Sequence, residues 1–140
     1  MQRRRYKAFV FDYDNTLTIS NSPAQRTAYL ETIQQMMQQL TSNGIYVAIA
    51  SYNWDTDRLL TDMGIQSKTD MIKEIRRQYR IWMRERGRHT SLRKSEIIFF
   101  DDDLFNCQAV EAYGVRAINI APSSGIQMQV FESLLSESTQ

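Results

Sequence analysis

Short apolar runs alternate along the chain with stretches in which apolar residues recur every three or four positions. This is the pattern of an α/β domain built on a mainly parallel sheet. Ala8-Phe9-Val10-Phe11 reads as a buried strand ending at Asp12. Ser22 and Pro23 offer an N-cap followed by proline at the first helical position. Tyr29, Ile33, Met36, Met37 and Leu40 then repeat at helical spacing until Asn43-Gly44 closes the helix. Ile45–Ala50 is a second strand, ending at Ser51. Asp55–Met63 predicts a short helix stopped by Gly64, and a long helix over about Thr69–Arg86 puts Met71, Ile72, Ile75, Tyr79, Trp82 and Met83 on one face. Gly87–Lys94 is a basic loop holding the only histidine, His89. Ile97–Phe100 is a third strand running into Asp101-Asp102-Asp103. Phe105–Tyr113 is helical up to Gly114, Val115–Ile120 is a fourth strand, and Ile126–Leu135 a final helix.

Length and composition fit that picture. With 140 residues, 42% hydrophobic and 24% charged, the chain is expected to form one globular domain, 1–140, with a sizeable core. No repeat, low-complexity tract or linker divides it. A single cysteine excludes an intramolecular disulfide framework. No apolar run approaches the ~18 residues that a membrane span needs, and basic Met1–Lys7 has no signal-peptide core behind it. A reducing, cytoplasmic address is the expectation.

Charge changes the picture more. The formal net charge of +1 conceals a strong polarity, because Lys68–Lys94 carries ten basic residues against Asp70, Glu74 and Glu85. That stretch is therefore about +7 and the remainder about −6.

Three of the four strands end in polar or acidic residues, namely Asp12-Tyr13-Asp14, Ser51 and Asp101-Asp102-Asp103. Ligands of open α/β sheets bind at the carboxyl ends of the strands. Carboxylates gathered there repel one another unless a cation compensates them. Oxygen-only ligands suit Mg²⁺, which takes one or two carboxylates and leaves other positions to water and phosphate. A lysine is wanted to neutralise phosphoryl oxygens, and Lys68 heads the basic helix, with Lys73 and Lys94 as competitors.

Phe11-Asp12-Tyr13-Asp14-Asn15-Thr16-Leu17-Thr18 resembles the DxDxT first motif of the haloacid dehalogenase superfamily of phosphohydrolases. Ala50-Ser51 is similar to its second motif, Ser67-Lys68 to its lysine motif, and Ile97–Asp103 to its acidic fourth motif. The FFDD strand, followed by Asn106 and Gly114-Val115, most resembles the magnesium-dependent phosphatase-1 branch. The resemblance covers residues 8 to about 135 and implies a doubly wound, Rossmann-like, capless domain acting as a Mg²⁺-dependent phosphatase. It implies Asp12 as nucleophile, giving an aspartyl-phosphate, and Asp14 as general acid and then base. It implies Mg²⁺ held by Asp12, the Asp14 carbonyl and Asp102, with Asp101 supporting. Ser51, the Tyr13 and Tyr52 amides and Lys68 would contact phosphate, and Thr16 would orient the first loop. The acid at Asp14 separates such hydrolases from their dehalogenase relatives.

Two departures stand out. Asn15 occupies a place where the family often has glycine, which is tolerable because Asn accepts unusual backbone angles. Lys68 follows Ser51 by only 17 positions, and Ser51 follows Asp12 by 39, so neither usual insertion point has room for a large cap. An open site leaves substrate choice to surface features or to a neighbouring subunit of a homo-oligomer, with Tyr52 and Trp54 candidates for the mouth. The substrate classes open to it are a phosphoprotein, a sugar phosphate or a nucleic-acid end. The alternative is a catalytically silent protein of the same fold that binds a polyanionic partner, nucleic acid or phosphoprotein, through segment 68–94. A phosphoacceptor receiver domain fits worse, because its phosphorylated Asp sits at a middle strand and the DxDxT spacing is not its own.

Overall fold

The computed structural model describes residues 5–51 and 67–139. Its elements run β1 (Ala8–Phe11), α1 (Pro23–Ser42), β2 (Tyr46–Ile49), α2 (Lys68–Glu85), a 3-10 turn at Lys94–Glu96, β3 (Ile97–Asp101), α3 (Leu104–Tyr113), β4 (Arg116–Asn119) and α4 (Met128–Thr139). The helix expected over Asp55–Met63 lies outside the described residues. The four strands form one wholly parallel sheet in the order β2-β1-β3-β4. Parallel neighbours need crossover connections, and the helices supply them.

Side chains alternate across the sheet with period two, which sorts the core into two layers. Phe9, Phe11, Ile98 and Phe100 pack with Tyr29, Ile33, Met36 and Leu40 of α1 and with Phe131 and Leu134 of α4. Within that layer the rings of Phe11 and Phe100, register partners, stack with centroids 4.9 Å apart. Ala8, Val10, Ile97 and Phe99 point the other way, onto Met71, Ile72, Tyr79 and Met83 of α2 and Val110 of α3. Burying one such side chain contributes about 1.5–3 kcal/mol, so the apolar runs of β1 and β3 anchor both layers at once. Helices on both faces of a parallel sheet make the fold doubly wound.

The helix ends follow local chemistry. Ser22 caps α1 by accepting from the Gln25 amide at 3.3 Å, with Pro23 at the first helical position. Ser67 does the same for α2, accepting from the Asp70 amide at 3.1 Å, so this helix starts at Lys68, one residue earlier than the periodicity suggests. Gly114 ends α3 in the left-handed conformation at φ 108°, which glycine adopts without a Cβ penalty. Among the described residues β2 lies at the edge of the sheet; it is half-buried rather than buried, and Ile49 is exposed. No described helix is long and apolar enough to cross a membrane.

Candidate active site

Because every strand runs the same way, all four carboxyl ends meet at one edge of the sheet. Asp12 directly follows β1, and its amide donates to the Phe100 carbonyl at 2.9 Å. Its carboxylate is buried. Oδ1 accepts from Lys68 Nζ at 2.8 Å, and Oδ2 faces the Thr16 hydroxyl at 3.5 Å. Lys68, the first residue of α2, is only 2% exposed and also donates to the Ala50 carbonyl. The N-terminus of α2 thus brings an ammonium group across the ends of β1 and β2. The other two lysines lie elsewhere. Lys73 is exposed, 3.8 Å from Asp70, and Lys94 sits over the Tyr113 ring, 4.0 Å from its centroid.

The three consecutive aspartates separate into different tasks. Asp101 is buried, accepting from the Asp103 amide at 2.9 Å and from Asn106 Nδ2 at 3.1 Å. Asp102 joins it against Asp12. One oxygen from each of Asp12, Asp101 and Asp102 lies within 4.8 Å of the others. Asp103 instead turns to α3 as its N-cap, accepting from the amides of Phe105 at 2.8 Å and Asn106 at 3.2 Å. The carboxylate cluster leaves its mark on proton affinity. Burial pushes the Asp101 carboxyl up to about 7, with the Asp12 charge adding to the rise, while the Asp103 amide, Lys68 and Asn106 hold it down. Burial and then Asp12 also raise Asp102.

The loop after β1 is fixed from several sides. The Tyr13 carbonyl accepts from the amides of Thr16, Leu17 and Thr18, and Asn15 takes the left-handed φ of 60° that its side chain tolerates. Asp14 is exposed, and its carbonyl accepts no hydrogen bond among the described residues. Thr16 is fully buried, and its carbonyl accepts from the Tyr29 hydroxyl, which in turn accepts from the Ile126 amide at 2.8 Å. The Ser20 amide donates to the Pro122 carbonyl at 2.8 Å, so this loop and the one after β4 are joined.

Ser51, just beyond β2, is buried at the same edge. Tyr52 and Trp54 lie outside the described residues. Two residues that the motifs did not single out also shape the site. Asn119 ends β4 and donates to the carbonyls of Asp101 at 3.4 Å and Asp102 at 3.2 Å. In the sequence it lay inside the strand expected over Val115–Ile120, and because the observed strand ends one residue earlier it takes the same strand-end position as the other polar residues. Tyr29 is the second, and only its place on an apolar helical face was readable. Cys107 is no candidate nucleophile, since burial lifts its thiol to about 11, and His89 is an exposed loop residue.

The donor set fits a small, hard divalent cation. All three side chains offer carboxylate oxygens, and one buried ammonium is too little to balance them. The raised Asp101 carboxyl is mainly the work of burial, with the nearby Asp12 charge adding to it.

No family model matches the sequence, and no curated protein matches it. Among solved structures, the fold is similar to the N-terminal part of the protein BF1531 from Bacteroides fragilis, containing a phosphatase domain complexed with Mg, at TM-score 0.66 and 17% identity. The match covers 96% of this chain and 41% of that one, so this chain spans about two-fifths of its neighbour's length. The fold is therefore one that carries a magnesium-bound phosphatase domain in another protein.

Proposed function

We propose that this protein is a capless phosphatase of the haloacid dehalogenase superfamily, close to the magnesium-dependent phosphatase-1 branch, formed as a single domain over 1–140. The observation that carries the reading is the meeting of Asp12, Asp101, Asp102 and Lys68 at the carboxyl edge of the sheet. In this reading the Asp12 carboxylate attacks phosphorus, forming an acyl–phosphate bond while the ester P–O bond breaks. Asp14, exposed beside it, hands a proton to the departing oxygen. Asp14 then takes a proton from the water that attacks phosphorus, and inorganic phosphate leaves as the Asp12 carboxylate is restored. Lys68, paired with Asp12 at 2.8 Å, would offset the negative charge of the transferring oxygens. Ser51 and the backbone amides of Tyr13 and Tyr52 hold the remaining phosphate oxygens. Thr16 fixes the loop that carries Asp14, and Asp101 supports the cluster from beneath. Mg²⁺, held by Asp12, Asp102 and the Asp14 carbonyl, would neutralise charge on the phosphoryl group.

Hydrolysis of a generic aryl phosphate, with and without Mg²⁺, tests this in the wild type and in Asp12→Asn. Turnover that needs Mg²⁺ and disappears in Asp12→Asn is the expected result. If neither protein turns over and beryllofluoride also fails to bind with Mg²⁺, the reading is wrong.

A further inference from the structure

The shaft of α2 carries chemistry that the site at its head does not use. Lys73, Arg76, Arg77, Arg80 and Arg84 fall at helical spacing along one flank of α2, beside the face that buries Ile72, Tyr79 and Met83, and so form one stripe. The stripe is about 16 Å long and begins about 7 Å along the axis from Lys68. Beside it runs the loop after the helix. Arg76 ties the two together, donating through Nε to the Leu92 carbonyl at 2.9 Å and through a terminal nitrogen to the Tyr113 hydroxyl at 2.8 Å. The result is a built trough rather than a gap. One hollow of about 150 Å³ is lined by Lys73, Arg76, Arg77, Arg80, Ser91 and Leu92. A second of about 210 Å³ is lined by Arg80, Arg84, Arg88, His89, Thr90 and Ser91, sharing Arg80 and Ser91 with the first.

Part of this charge is unspent. Arg77 pairs with Glu74 and Lys73 approaches Asp70, but Arg80, Arg84 and Arg88 are exposed and make no ion pair among the described residues. The walls lack an exposed apolar anchor, because Leu92 is buried and the rest are polar or charged. Protein interfaces depend on such anchors, whereas a phosphodiester backbone needs only closely spaced donors. Arginine suits it better than lysine, since the guanidinium fork binds phosphate in a bidentate manner. Two adjoining hollows of about 150 and 210 Å³ are on the scale of a few phosphate groups of one strand, rather than of a flat lipid surface or a whole duplex.

We propose that this trough binds the sugar–phosphate backbone of a single-stranded nucleic acid. Resting on the phosphatase reading above, the strand's terminal phosphate is the ester presented to Asp12. Binding is backbone-led and tolerant of sequence, since the nearby rings are already engaged: Trp82 has Arg86 over it at 3.9 Å and Tyr113 has Lys94 over it at 4.0 Å.

Fluorescence anisotropy with a labelled, terminally phosphorylated single-stranded DNA of about 20 nucleotides tests it between about 50 and 200 mM salt. The wild type should bind with a steep salt dependence. Arg80→Glu/Arg84→Glu should bind at least about 30-fold more weakly with a shallower salt slope, and release less phosphate from the oligonucleotide. The same variant should melt like the wild type and hydrolyse a small aryl phosphate at an unchanged rate. Unaltered oligonucleotide binding in that variant overturns the proposal. So does equal binding of polyglutamate or phosphatidylserine vesicles that the variant loses in parallel. Oligonucleotide binding that depends on Arg80 and Arg84, without any aryl phosphate turnover in the wild type, upholds the trough and removes the phosphatase reading instead.

Discussion

Gly125 lies so close to the ring of Tyr29 that a Cβ added there would sit 2.5 Å from the phenolic oxygen. Gly125 also has a φ of +70°, so an alanine would be strained even with space around it. The phenol it abuts holds the Thr16 carbonyl and the Ile126 amide. Gly125→Ala should therefore destabilise the protein by about 1–3 kcal/mol in urea unfolding. Tyr29→Phe keeps the ring but leaves two buried polar groups unpaired, at a cost of about 1–3 kcal/mol. Combining Gly125→Ala with Tyr29→Ala should cost less than the sum, because the clash disappears with the ring.

Lys68→Met removes the ammonium group that is set against Asp12 among the described residues. Breaking a buried ion pair from one side costs about 3–5 kcal/mol, so the metal-free variant should melt well below the wild type. Mg²⁺ should restore part of the loss. Aryl phosphate turnover should fall by about 10²–10³-fold, the range seen when a preorganised electrostatic group is deleted. Lys73→Met and Lys94→Met serve as controls and should leave turnover within a few-fold of wild type.

The Asp101 carboxyl titrates at about 7 in the fold against an ordinary value of 3.8. Between those values the folded chain keeps a proton that the unfolded chain has lost. Its contribution to stability is thus fully present below the ordinary value and is lost as pH rises through about 7. Asp102, also raised, acts in the same direction. Asp101→Asn cannot ionise, so in metal-free thermal melts it should gain on the wild type as pH rises from about 4 to about 8. Mg²⁺ competes with the same proton, and its stabilisation of the wild type should grow across that window. A difference between the two proteins that stays flat with pH would refute this assignment.

The neighbours Asp102 and Asp103 should behave as opposites. Asp103→Ala removes the cap of α3 and should cost about 1 kcal/mol while leaving Mg²⁺ affinity near wild type. Asp102→Ala relieves repulsion within the cluster, so metal-free stability should hold or rise while Mg²⁺ affinity falls at least tenfold. Isothermal titration alongside urea unfolding separates the two effects.

The parts of this architecture that rest on local rules were readable beforehand. The apolar runs at Ala8–Phe11 and Ile97–Phe100 became the two central strands, since only residues buried on both faces can lack polar alternation. Ser22-Pro23 opened its helix as expected. The carboxylates were conspicuous because acids rarely follow a buried strand without a task. What stayed hidden depends on contacts between distant segments. Lys68, Lys73 and Lys94 look alike in sequence, and only the docking of α2 brings one of them to Asp12. Nothing local distinguishes Asp102 from Asp103 until the start of α3 claims the second as a cap. Met36 and Met37 both read as core, yet only Met36 is fully buried, because adjacent helical positions diverge by about 100°. The reach of Tyr29 to Ile126 crosses 97 residues and has no sequence signature.

The strand that leads into Asp12 is bonded on both sides, to β2 and to β3, and the Asp12 amide itself is held by Phe100. No fraying edge gives deuterium access to it. Amide exchange at Phe9, Phe11 and Asp12 should therefore be slow and uniform, governed by opening of the whole domain rather than of any part. The exchange rate of a single amide next to the reactive carboxylate would then serve as a gauge of the molecule's entire unfolding free energy. Mg²⁺, phosphate mimics or oligonucleotides could each be ranked by how far they slow it.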